Sequence, residues 1–92
     1  GMNDPMWDLA AHCLENGFNS DEEELFLKTY FKQEPKESYK TRVLINKIYQ
    51  DFLWSLWTKV KEASGDDFGD YGIERYNRAK ENLNLLAKKL EG

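Results

Sequence analysis

Ninety-two residues fit one small domain with a thin core. The chain is 40% hydrophobic, 14% aromatic and 33% charged, which is too apolar for disorder; two prolines and few Val-Ile-Thr runs favour helix over strand. A net charge of −4 with scattered basic residues argues against nucleic acid, and no apolar run nears the roughly twenty residues of a bilayer span.

Residues 1–4 precede the first predicted helix. Gly1-Met2 reads either as a tag scar before a start codon or as native sequence, and no signal-peptide pattern is present. The first helix runs from about Pro5 to Asn16, with Asn3 or Asp4 as cap, Pro5 at the first position and Gly17 as stop. Its core stripe is Met6, Trp7, Ala10, Cys13 and Leu14. Cys13 on that stripe reads as an inert buried thiol, and a lone cysteine suits a reducing cytoplasm. Asp8, His12 and Glu15 share the opposite side at i, i+4, i+7 spacing. Such a set can ligate a metal, but three polar residues on one helix are more often its solvated face.

The second helix opens at Ser20-Asp21-Glu22-Glu23, a capping-box pattern with acidic first-turn residues. It continues through Leu25, Phe26, Leu27, Tyr30 and Phe31, and Gln33-Glu34-Pro35 breaks it. The third is long, from about Lys36 to Ala63, with Ser64-Gly65 as its end. Ile45, Ile48, Tyr49, Phe52, Leu53, Leu56, Val60 and Ala63 form one apolar stripe and are expected to be its core face. An acidic turn, Asp66-Asp67-Phe68-Gly69-Asp70, follows. The fourth helix runs from about Tyr71 to Leu90, with Ile73, Tyr76, Leu83, Leu86 and Leu90 as its expected apolar stripe and Gly72 weakening its first turn.

Trp54 and Trp57 stand off the third helix's core stripe. Three residues apart, their indoles are neighbours on one flank. Two readings stay open: another helix covers that flank, or the indoles wall a ligand. Tryptophan is the best aromatic partner for a cation, and quaternary ammonium groups sit in aromatic cages. Such a cation has no N–H to donate, so ring faces and a carboxylate must define its site. No phosphate-binding Gly-rich loop or Gly-x-x-x-x-Gly-Lys is present.

Asn3-Asp4-Pro5-Met6-Trp7-Asp8-Leu9-Ala10 resembles the stretch after the metal-binding Asp-x-Glu of bacterial choline kinases. Asp51-Phe52-Leu53-Trp54-Ser55-Leu56-Trp57 resembles their Phe-Leu-Trp-x-Leu-Trp helix. Asp67-Phe68-Gly69-Asp70-Tyr71-Gly72-Ile73-Glu74-Arg75-Tyr76 resembles the loop and helix that follow. The resemblance implies an all-α, four-helix C-terminal subdomain of a protein-kinase-like phosphotransferase, spanning residues 1–92. It implies a choline site lined by Trp54, Trp57, Phe68 and Tyr71, with Glu15 as its acidic member and Asp8 as a structural aspartate at the helix start. The Phe68–Tyr71 spacing is shorter than in eukaryotic relatives.

In that family the nucleotide lobe, the catalytic aspartate and the Asp-x-Glu metal ligands lie upstream. None is in this sequence, so neither catalytic nor metal-binding residues are assigned, and no cofactor is expected in this chain. ATP and magnesium are implied for the parent enzyme, which would phosphorylate the choline hydroxyl. The expected partner is choline or a related amine, the expected location cytoplasmic. A homodimer is expected through Trp7, Trp54 and Trp57, on the surface where the upstream lobe would lie. The rival readings are a non-catalytic helical protein-interaction module and a piece of a kinase acting on ethanolamine or another amine.

Overall fold

The structure is a computed structural model and describes residues 5–91. Among the described residues there are four helices: α1 (Pro5–Asn16), α2 (Ser20–Phe31), α3 (Glu37–Ala63) and α4 (Tyr71–Glu91). No strand occurs among the described residues. The fold is all-α, as expected, with helix ends within a residue of those read from the caps. The proposed cap of α1 at Asn3 or Asp4 lies outside the described residues. Two compact units divide the chain, one up to Asn46 and the other from Lys47.

In the first unit, the stop of α1 follows from Gly17. Its φ is +62°, a left-handed value open to glycine. Gly17 N–H donates to Leu14 C=O and Phe18 N–H to Cys13 C=O, both at 3.2 Å, closing the last turn in a Schellman pattern. The cap of α2 is Asn19, one residue earlier than the Ser20 pattern suggests. Glu22 N–H donates to Asn19 Oδ1 at 2.9 Å, and Asn19 N–H donates to Glu22 Oε1 at 3.0 Å. Asparagine caps at least as well as serine, so the nearer Asn19–Glu22 box wins over Ser20–Glu23.

Met6, Leu9, Ala10, Leu27 and Val43 form this unit's core, with Phe26, Phe31 and Tyr39 packed against it. The α1 stripe is buried as expected at Met6, Ala10, Cys13 and Leu14; Leu9 joins it, and Trp7 is only half-buried. Asp8 and Glu15 are exposed. So is His12, whose ring stacks on Phe26 at 5.0 Å and 5°. Asp8 was expected to be structural at the helix start, and the residues before Pro5 lie outside the described ones.

The second unit corrects two expectations. The apolar stripe of α3 is not its buried face: Tyr49 is 58% exposed, Leu56 65% and Val60 65%. Of that stripe only Ile48 is buried. The buried residues are instead Gln50, Asp51, Ser55 and Thr58. On α4 the expected stripe is likewise outside, with Ile73, Tyr76, Leu83 and Leu90 exposed and Leu86 half-buried, while Ala79 and Asn82 are buried.

The reason is close approach. A Cβ on Gly72 would lie 2.9 Å from Thr58 Cγ2 and 3.1 Å from Thr58 Cβ, so α4 begins against α3 where only glycine fits. Thr58 Oγ1 donates to Trp54 C=O at 2.8 Å, which turns the hydroxyl into its own helix. Asp51, Ser55 and Thr58, at i, i+4, i+7, share a buried face of α3 that meets α4 at Gly72 through Thr58 and at Arg75 and Arg78 through Asp51. Small residues and a charge pair, not apolar area, choose this face.

Candidate functional site

Four of the five expected site residues lie in one run of contacts in the second unit. The α3 helix presents Trp54 and Trp57 on one flank, with ring centroids 5.3 Å apart and planes at 78°, an edge-to-face pair. Phe68, from the turn before α4, adds a third ring at 5.3 Å and 56° from Trp57. That turn is built by Gly69, whose φ is +59° and whose N–H donates to Asp67 Oδ1 at 2.8 Å. The indoles are 40% and 39% exposed, so a ligand can reach both. Phe68 is half-buried and Tyr71, the first residue of α4, is 41% exposed.

Tyr71 joins the run through Arg75. Arg75 donates from Nη1 to the Tyr71 hydroxyl at 2.7 Å. Its guanidinium carbon stands 5.5 Å from the Tyr71 ring centroid and 5.8 Å from that of Trp54. On the other tryptophan, Lys61 Nζ lies 5.8 Å from the Trp57 centroid. These rings already attract cations, as their quadrupoles require. Glu15 belongs to the first unit, where it is exposed on α1.

Behind the rings lies a charge cluster that the sequence reading did not find. Asp51 is completely buried and accepts three hydrogen bonds, each 2.8 Å long. Arg78 donates from Nε to Oδ2 and from Nη2 to Oδ1, and Arg75 donates from Nε to Oδ1. The bonds to Asp51 hold the Arg78 guanidinium above its already high ordinary value, so it stays charged. One signal was visible: Asp51 is the only charged residue from Ile48 to Trp57. A carboxylate inside so apolar a run needs a buried partner.

Among the described residues no three His, Cys, Asp or Glu side chains converge to hold a metal ion. Nor does the sequence offer a phosphate loop. These residues do not fit magnesium-ATP, and no step through it is assigned to them. No described helix is long and apolar enough to cross a membrane.

Comparison with known proteins gives the context. No family model matches the chain. Two curated proteins from Haemophilus influenzae, each called LicA, are 38% identical over 86 residues. They align with 86% of this chain but only 32% and 25% of their own lengths. A crystal structure of LicA in complex with AMP superposes on 90% of the chain with a TM-score of 0.75 and 49% identity. That of the choline kinase LicA from Streptococcus pneumoniae superposes on 89% with a TM-score of 0.73 and 54% identity. The chain spans 29% of each of these structures. It is therefore related to the choline kinases, and corresponds to a C-terminal part of them. Within that class, the proteins it matches are those named LicA.

Proposed function

We propose that this chain supplies the aromatic wall of an amine site in a choline-kinase-type phosphotransferase. Trp54, Trp57, Phe68 and Tyr71 hold the trimethylammonium of choline by their rings. The observation that carries the reading is the half-exposed edge-to-face pair Trp54–Trp57, extended by Phe68. In the parent reaction magnesium-ATP would phosphorylate the choline hydroxyl. The nucleotide lobe, metal ligands and catalytic aspartate would belong to the rest of that enzyme. With magnesium-ATP and choline, the 92-residue chain is expected to form no phosphocholine above a no-protein control. A cytoplasmic location accords with this chemistry, since ATP is the phosphate donor.

Choline titration of the tryptophan fluorescence tests the reading. Four partly solvated rings at about 1 kcal/mol each give a dissociation constant of about 1 mM. Trp57→Ala should weaken choline binding about fivefold, and sodium chloride at equal ionic strength should not mimic the response. A response unchanged in Trp57→Ala would remove the site. Ethanolamine binding as tightly as choline would favour a kinase of primary amines.

The exposed stripe of α3 supports a second role, association. Tyr49, Leu53, Leu56 and Val60 are all exposed. We propose that a homodimer of this chain seats on that stripe.

A further inference from the structure

Trp54 stands in the middle of α3 and Tyr71 opens α4, so neither helix alone fixes the gap between their rings. Arg75 reaches both, within 5.8 Å of the Trp54 centroid and 5.5 Å of the Tyr71 centroid. A guanidinium is a rigid planar fork, so fixing one nitrogen fixes the others. Nε of Arg75 is fixed on Asp51 Oδ1 at 2.8 Å, and Nη1 reaches the Tyr71 hydroxyl at 2.7 Å. Asp51 is in turn gripped at both oxygens by Arg78.

We propose that Asp51 and Arg75 are positioning residues for the aromatic wall. Through one bond each way, they set where the Tyr71 ring stands against Trp54, and with it the wall's affinity for a quaternary ammonium. The inference rests on the amine-site reading above. Holding α4 to α3 does not require it: Arg78 already makes the two-pronged contact with the carboxylate. Arg75 gives that carboxylate one bond and turns its other arm to the phenol. Its positive charge beside a cation site is unfavourable, and the buried Asp51 carboxylate, shared with Arg78, offsets it only in part.

Charge-preserving variants of the full chain separate position from charge. Arg75→Lys keeps the charge, but one ammonium on a flexible stem cannot hold Asp51 and Tyr71 in a single plane. Tyr71→Phe keeps the ring and removes the acceptor. Each should weaken choline binding about three- to tenfold, and both should shift the Trp54 indole N–H resonance. Because they cut the same link, the double variant should be no weaker than the worse single one. Arg75→Lys lowering the melting temperature while leaving choline affinity at the wild-type value would overturn the proposal. So would an additive double variant, or an unmoved Trp54 resonance. Wild-type chain that does not bind choline at tens of millimolar would be a different failure. It would remove the amine site before any variant is made, and this inference with it.

Discussion

Alanine at position 72 meets two opposing effects. A helix gains about 1 kcal/mol when glycine becomes alanine. Here the new methyl would sit 2.9 Å from Thr58 Cγ2, on a buried, β-branched side chain whose hydroxyl is committed to Trp54 C=O. Overpacking of this kind costs about 1–3 kcal/mol, so it wins. Gly72→Ala should lower stability by roughly 1 kcal/mol in urea unfolding. Adding Thr58→Ser removes Cγ2 but keeps the hydroxyl, and should recover much of the loss; no recovery would place the strain elsewhere. Asp51 is the more sensitive position. Replacing it by Asn leaves the largely buried Arg75 and the part-exposed Arg78 facing a neutral amide. Breaking a buried ion pair from one side costs about 3–5 kcal/mol, comparable to the whole stability of a small domain. Asp51→Asn should therefore lose the cooperative unfolding transition, whereas Asp70→Asn, on the exposed turn, should not.

At the level of the helices, the ends were readable and one face was not. Gly17 and Gly65 end α1 and α3 in left-handed conformations, as the sequence suggests. Lys32 at the end of α2 does the same without being glycine, at φ +60°. Lys32→Gly should thus stabilise the chain by about 1 kcal/mol, read as a higher urea midpoint; an unchanged midpoint would mean that the lysine side chain compensates. Trp54 and Trp57 as neighbours followed from spacing alone, whereas the packing of Phe68 on Trp57 spans a turn and has no signal in helical spacing. The face of α3 that meets α4 did not. Periodicity reports where apolar residues lie, not which face finds a partner. The deciding groups, Asp51 and its arginines, lie 24 and 27 residues apart and carry no local signal of pairing. Gly72 and Ala79, two small residues seven apart, were the trace of a close contact.

At the scale of the whole chain, the consequence is an apolar surface facing outward. Tyr49, Leu53, Leu56 and Val60 follow i, i+4, i+7, i+11, a stripe about 16 Å long on one side of α3. Single exposed apolar residues are ordinary, but contiguous patches of this kind find partners. A second copy can present the same stripe about a two-fold axis, the commonest symmetry of oligomers. Sedimentation from about 1 to 100 µM should therefore show a concentration-dependent shift toward dimer, the range in which modest interfaces form. Leu56→Lys with Val60→Lys should return the chain to monomer without loss of helix, because both side chains are exposed and add little to the fold. Trp54→Ala should leave the association intact, since Trp54 lies about 130° round α3 from the middle of the stripe. Association lost in Trp54→Ala but kept in the lysine variant would return the interface to the tryptophans. Choline would then compete with the dimer, and the two activities of this chain would be alternatives on one surface.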